Sequence, residues 1–288
     1  MTALLAYPNV SEGRDADAIE QIGAAFGEGL LDVHSDPDHH RSAYTLTGAP
    51  GQLAGAVVRG AARAVELITI DDHDGIHPRI GAIDVAPIIY LREADRGAAS
   101  AEALVLADLL AEQLGLPVFL YGVLAGGRTR AELRRGGPAE LARKMHASEL
   151  TPDFGPRRLH PTAGAVLVAA RPPLVAFNVE LKPPATLADA KAIAARIREG
   201  GPDGCPGLRA IGLWLSASGL AQVSTNVEDH RATPLAAVVA AVMRHADVAG
   251  AELVGLAPRA AFEGFPDDVP LRGYATIEDS LHRRAHTA

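Results

Sequence analysis

Three polar segments of this chain carry side chains that a fold does not need for its own sake. Asp71-Asp-His-Asp-Gly-Ile-His-Pro-Arg-Ile-Gly81 stands immediately ahead of an apolar stretch. A loop that delivers His77 and Arg79 to the end of a strand suits proton transfer by the imidazole and anion binding by the guanidinium. Pro78 restricts His77 to extended backbone, and Gly81 permits another group to come close. His73 competes for the acid–base role. In Asp32-Val-His-Ser-Asp-Pro-Asp-His-His-Arg41, three readings of His34, Asp36, His39 and His40 are open: metal ligands, contacts to an anionic substrate, or a solvated hairpin loop. Two-metal hydrolase patterns are tighter than this one. Pro152-Asp-Phe-Gly-Pro-Arg-Arg-Leu-His-Pro-Thr-Ala-Gly164 is too rich in Pro and Gly for a regular element, yet sets Arg157, Arg158 and His160 beside Phe154. It reads either as a site for a planar anionic ligand or as a decorated connector.

The elements that must position these loops follow from apolar spacing. Leu4 to Val10 reads as a buried strand, Asp15 to Phe26 as a helix, Leu30 to Val33 and Arg41 to Thr47 as strands. Leu53, Val57, Ala61, Ala64 and Ile68 form a helical stripe over 51–68, and Ala82 to Tyr90 is a strand, apolar except for Asp84. The order is βαββαβ. It recurs in the second half as Leu174 to Phe177, a helix over Leu187 to Arg198, strands over Leu208 to Leu215 and Ala221 to Val227, a helix with Thr233 as N-cap and Pro234 at its first position, and a strand over Glu252 to Leu256. Two such copies suggest a duplicated ferredoxin-like unit with helices on one face of each sheet. The expected fold class is α/β (α+β), and Arg171-Pro-Pro173 marks a boundary between residues 1–172 and 173–288. The first half also holds a helix over Ser100 to Leu114, strands at Pro117 to Tyr121 and Ala165 to Ala169, and a basic helical stretch near Arg128 to Lys144. After Pro266 the periodicity is lost, and those residues read as a tail.

Composition excludes several function classes. Acidic residues outnumber basic ones by 35 to 27, a net charge of −8, so a nucleic-acid or anionic-membrane partner is not expected. The single cysteine, Cys205, forms no intrachain disulfide. No apolar run is long enough to span a bilayer, and the first residues lack the basic region and apolar run of a signal peptide, which leads us to expect a cytoplasmic protein. Walker A, Rossmann glycine and nucleophile-elbow patterns are missing from the sequence.

Eight motifs in order carry a resemblance: Asn9-Val-Ser-Glu-Gly13, Leu31-Asp-Val-His34, Gly75-Ile-His-Pro-Arg-Ile-Gly-Ala-Ile-Asp-Val85, Leu120-Tyr-Gly122, Pro152-Asp-Phe-Gly-Pro156, Ala176-Phe-Asn178, Gln222-Val-Ser-Thr-Asn226 and Val254-Gly-Leu-Ala-Pro258. Together they resemble the glutamate formimidoyltransferase (formiminotransferase) family from about residue 4 to about residue 260, as a stand-alone domain without the cyclodeaminase to which it is fused in animals. The resemblance implies two ferredoxin-like subdomains with a tunnel for folate between them. It implies transfer of a formimidoyl group from N-formimidoyl-L-glutamate to tetrahydrofolate, a co-substrate, with no metal. It places His77 on the family's catalytic histidine and Gly155, Pro156, Arg157, Arg158, Leu159, His160, Pro161, Thr162, Ala163 and Gly164 on its folate-binding segment.

On that footing Asn178 and Gln222 are expected to wall the folate cavity from the second half. Arg41 and Arg79 are candidates for the donor's carboxylates, and Asp32 or Asp84 for orienting His77. Small-molecule substrates are the expected partners, and a homodimer is the family's habit. The chain departs from the pattern at Val123, where the family commonly has Glu. It also has His34 where some members have Asp, and His40 where some have Asn. These departures leave open another formyl or formimidoyl donor. A folate-binding protein without turnover is the other alternative, against which the intact segment around His77 argues.

Overall fold

The computed structural model describes residues 3–287. The chain divides into two compact units, Met1–Pro172 and Pro173–Ala288, and each has its own sheet and core.

The first unit runs β1 (Leu4–Ala6), β2 (Asn9–Val10), α1 (Ala16–Phe26), β3 (Leu30–Asp36), β4 (Arg41–Gly48), α2 (Leu53–Leu67), β5 (Ile83–Tyr90), α3 (Arg96–Leu114), β6 (Val118–Leu120), α4 (Arg130–Arg134), α5 (Gly137–His146) and β7 (Val166–Arg171). The expected first strand is broken at Tyr7-Pro8, because proline has no N–H to give a ladder. β1 and β2 nevertheless lie in line, each antiparallel to β4 on one side and to β5 on the other. The strands follow the order β3, β4, β1 with β2, β5, β7, β6, and β7 is parallel to both β5 and β6. Its first part is the ferredoxin-like arrangement; β7 and β6 extend it into a mixed sheet.

One face buries Leu4, Ala6, Tyr44, Leu46, Ile88 and Val168 against the apolar stripes of α1, α2 and α3. Removal of this much apolar surface from water is the main stabilising term. Gln52, at the start of α2, makes no capping side-chain bond; instead the buried Glu102 of α3 accepts from the amide nitrogens of Gly51 and Ala54. A carboxylate there satisfies orphan donors and complements the helix dipole. Helices on one face only were expected, and the first unit corrects that. Leu133 of α4 and Leu141 and Met145 of α5 pack with Val85, Phe119, Leu167 and Ala169 on the opposite face.

The second unit runs β8 (Val175–Leu181), α6 (Leu187–Ile197), β9 (Leu208–Leu215), β10 (Leu220–Val227), α7 (Leu235–Met243), β11 (Val248–Val254), β12 (Leu271–Arg272) and α8 (Ile277–Thr287). Its strand order is β12, β11, β8, β10, β9, the same ferredoxin-like core with β12 added parallel to β11. Two expectations are corrected. The N-cap of α7 is Pro234, while the Thr233 hydroxyl donates instead to the Pro206 carbonyl at 2.7 Å. The residues after Pro266 are not a structureless tail: β12 and α8 follow, and the Thr276 hydroxyl accepts from the Asp279 amide at 3.1 Å to begin α8.

Candidate functional site

The site is built in the first unit from the β3–β4 hairpin, the connection 68–82 ahead of β5, and α4. Asp84 lies near the start of β5 with 1% of its surface exposed. Its Oδ1 accepts the Ile80 amide at 2.9 Å, and Arg134 of α4 donates to both of its oxygens. Arg41, the first residue of β4, donates from Nη1 to Asp84 Oδ2 at 3.3 Å and from Nε to Asn9 Oδ1 at 2.7 Å. The same Nη1 stands 2.6 Å from Nδ1 of His77. A guanidinium has no acceptor, so that contact requires a lone pair on Nδ1 and puts the ring hydrogen on Nε2. The Pro78 carbonyl, 2.8 Å from Nδ1, suits the other tautomer. Moving between the two exchanges which nitrogen can take a proton.

Burial holds the His77 imidazole well below its ordinary pKa, and the Arg41 and Arg134 cations add to the effect. The ring is therefore neutral at pH 7 and able to accept a proton. Burial also lowers Arg41 to about 10, partly countered by Asp84, so it stays cationic. The partners of His77 among the described residues are Arg41, the Pro78 carbonyl and the ring of His39, whose centroid is 6.0 Å away. Of the two carboxylates expected to orient it, Asp84 reaches it only through Arg41. Asp32 lies on β3 opposite Thr45, where its charge acts on Tyr7 and, with burial, raises the phenol pKa.

The rest of the polar loop holds His77 in place. His40 and His73 stack with centroids 4.2 Å apart. His40 Nδ1 accepts the Gly13 amide at 3.1 Å, and His73 Nδ1 accepts the Gly75 amide at 3.1 Å while its Nε2 donates to the His40 carbonyl at 2.8 Å. Both rings accept at Nδ1 only when unprotonated there, in keeping with pKa values lowered mainly by burial. Glu12 Oε1 lies 3.4 Å from His40 but makes no ion pair with a neutral ring. Arg79 donates from Nη1 and Nη2 to the carbonyls of Gly75, His77 and His73, so these nitrogens tether its own loop.

Segment 155–164 is laced to that loop. Gly81 and Gly164 face each other as a bridge, Ala82 donates to the Ala163 carbonyl at 2.9 Å, Ala165 donates to the Ile80 carbonyl at 3.0 Å, and Ile70 donates to the Thr162 carbonyl at 2.8 Å. A Cβ on Gly81 would run into the Ala165 carbonyl, and one on Gly164 into that of Ile80; Gly164 also has φ +69°. Arg157 and Arg158 are exposed, Gly155 begins the segment with φ +81°, and His160 folds inward to accept the Ala163 amide at 3.1 Å. Within the second unit, Asn178 of β8 donates to Glu252 at 3.1 Å, and Gln222 of β10 is fully buried with neither side-chain polar atom bonded.

Sequence reasoning missed Arg134. It sits in a stretch so basic that no single arginine stands out, but Thr129-Arg-Ala-Glu132 is a capping-box pattern that starts a helix and puts Arg130 and Arg134 on one face. Val123 is exposed in a turn after β6. Among the described residues no group of His, Cys, Asp and Glu could hold a metal ion, and no helix is long and apolar enough to cross a membrane.

Residues 3–171 match the formiminotransferase domain, N-terminal subdomain, and residues 176–264 match the formiminotransferase domain. The formimidoyltransferase-cyclodeaminase of Sus scrofa is 38% identical over 268 residues, a match covering 87% of this chain and 49% of that protein. This chain thus spans about half the length of such relatives. The glutamate formimidoyltransferase of Streptococcus pyogenes serotype M1 is 34% identical, with 88% of each chain covered, and that of Thermoplasma acidophilum 32% identical, with 91% and 90% covered.

Proposed function

Because the chain belongs to the formiminotransferase family, we propose that it transfers the formimidoyl group of N-formimidoyl-L-glutamate to tetrahydrofolate, giving 5-formimidoyltetrahydrofolate and L-glutamate. The observation that carries this reading is the lacing of the His77 loop to segment 155–164 at Gly81 and Gly164. An acid–base group and a segment matched to folate binding thereby share one rigid scaffold.

In this reading N5 of the folate attacks the amidine carbon of the donor and a C–N5 bond forms. His77 takes the proton that N5 gives up. It then returns a proton to the donor's α-nitrogen, so the C–N bond to glutamate breaks with a neutral amine leaving. A neutral imidazole suits the first step, and a ring whose protonated form is destabilised by neighbouring cations gives its proton up readily in the second. Arg41 holds the ring through Nη1, and Asp84 holds Arg41. We assign folate contacts in the first unit to Gly155 through Gly164; within the second unit Asn178 and Gln222 keep the folate role that the family resemblance gives them, Gln222 with its amide unbonded but fully buried.

The test is a panel of formimidoyl and formyl donors assayed with tetrahydrofolate. Turnover with N-formimidoyl-L-glutamate well above the other donors is expected. Faster turnover with a formyl donor would replace the donor, and folate binding without turnover on any donor would replace the reaction.

A further inference from the structure

We propose that Arg41 and Arg134 together form a carboxylate-binding subsite beside His77, and that it takes the α-carboxylate of the amino-acid donor. The inference rests on the transfer reading above. Its foundation is a charge imbalance. Arg41 and Arg134 share one carboxylate, Asp84, and the remaining members of the network, Asn9 and His77, bring no negative charge. The side chains of Arg41, Arg134 and Asp84 are only 15%, 10% and 2% exposed. A desolvated cation without a counter-ion is costly, and a site that keeps one is built for an anion. Overall the chain carries −8, so the local excess runs against the general field.

The hydrogen-bond inventory leaves donors to spare. Arg41 uses Nε and Nη1, and Arg134 uses Nε and Nη2. Among the described residues, Arg41 Nη2 and Arg134 Nη1 make no hydrogen bond. Planar guanidinium groups are well matched to the two oxygens of a carboxylate. A second observation points the same way. Arg130, one turn before Arg134 on α4, lies 5.8 Å above the ring of Tyr121, and its charge also acts on Arg41. The Tyr121 hydroxyl is buried and has no hydrogen-bond partner among the described residues. By contrast Arg79, the other expected clamp, has both Nη groups on loop carbonyls.

Both substrates carry glutamate carboxylates, and chemistry chooses between them. In the donor, only the α-nitrogen and Cα separate the transferred carbon from the α-carboxylate. In the folate, the aminobenzoyl ring stands between N5 and the glutamate tail. A carboxylate held by Arg41, itself in contact with His77, is therefore the donor's.

The experiment titrates the full chain with glutarate by calorimetry, follows the His77 ring by NMR, and measures KM for each substrate. Glutarate is expected to bind and to raise the pKa of His77, since it offsets the cations facing that ring, Arg41 and Arg134. Arg134→Gln should weaken glutarate and raise the donor KM by roughly 10- to 100-fold, with KM for tetrahydrofolate moving less than about threefold. Arg134→Lys should recover part of the loss, and it carries the test if Arg134→Gln does not fold. Unchanged glutarate affinity and donor KM in the folded variants would overturn the subsite. An equal rise in the folate KM would overturn its assignment to the donor. Glutarate binding that depends on Arg134 in a chain with no transferase turnover would defeat the transfer reading and leave the subsite standing; turnover without glutarate binding or a His77 shift would do the reverse.

Discussion

Between α2 and β5 the first unit runs through residues 68–82, whereas the matching connection of the second unit, between α7 and β11, is only 244–247. The hairpins preceding these helices are closer in form. Residues 37–40 join β3 to β4, and residues 216–219 join β9 to β10; each loop closes on a left-handed residue, His40 with φ 49° in one and Gly219 with φ 67° in the other. Glycine takes that conformation freely, whereas a histidine there is strained. In the first unit the strained residue receives the Gly13 amide and stacks on His73. The two units therefore keep one strand order and differ in what is hung on it: the proposed chemistry occupies a lengthened connection and a refitted hairpin.

The most damaging change to this contrast should be His77→Ala. Turnover is expected to fall by ~10²–10⁴-fold with folate affinity within a few-fold; steady-state kinetics beside a folate titration would show it. Near-normal turnover would mean that the long connection is not where the units part ways. Next in size is Asp84→Ala, which strands Arg41 and Arg134. Loss of one partner in a buried ion pair costs about 3–5 kcal/mol, a drop in melting temperature of roughly 6–20 °C. Asp203→Ala in the second unit, paired with Arg196 at the surface, should leave thermal unfolding nearly unmoved.

Acidification should separate the units again. His40, His73 and His77 in the first unit, and His230 in the second, have folded pKa values below 6.5. On acidification the unfolded chain takes up these protons first. Their stabilising contribution is thus complete above pH 6.5 and is lost as pH falls through the folded values. Melting curves from pH 7.5 to 5 should show this fall, and His73→Asn in the first unit and His230→Asn in the second should each flatten it. The acid limb of kcat/KM should lie below 6.5 as well, because His77 in the free protein is still unprotonated at pH 6.5 and takes its proton only at lower pH. The smallest effect belongs to the hairpins. Gly219→Ala, which meets no neighbour within 4 Å but must keep a left-handed backbone, should cost about 1 kcal/mol without altering turnover. In His40→Gly the relief of strain and the lost Gly13 bond should roughly cancel in stability, leaving a measurable effect on turnover alone.

Much of this contrast was legible in the sequence, because it depends on periodicity and punctuation. The apolar spacing of 53–68 and the run of 83–90, apolar except for Asp84, locate α2 and β5, and the polar stretch between them announces itself by its histidines. Arg41 is conspicuous as the end of a polar loop. Arg134 is not, since its role comes from a tertiary contact between a five-residue helix and a strand start fifty residues earlier. β12 is two residues long and shows no alternation to read. The helix after it did leave a sign, Thr276-Ile-Glu-Asp279, which a search for capping residues rather than apolar stripes finds. The tether made by Arg79 could not be foreseen, because backbone carbonyls as acceptors leave no trace in side-chain types.

Gly81 and Gly164 leave no space for a side chain between the loop and the segment, and backbone hydrogen bonds that would have to break tie the two together. Fixing a flexible residue costs ~1–2 kcal/mol of conformational entropy, and a site that orders only around its ligand gives that up from its affinity. Here the ordering is completed during folding. If the proposed transfer takes place at this face, capture there is expected to resemble a key meeting a finished lock, with a rate governed by encounter and not by waiting for a loop to close.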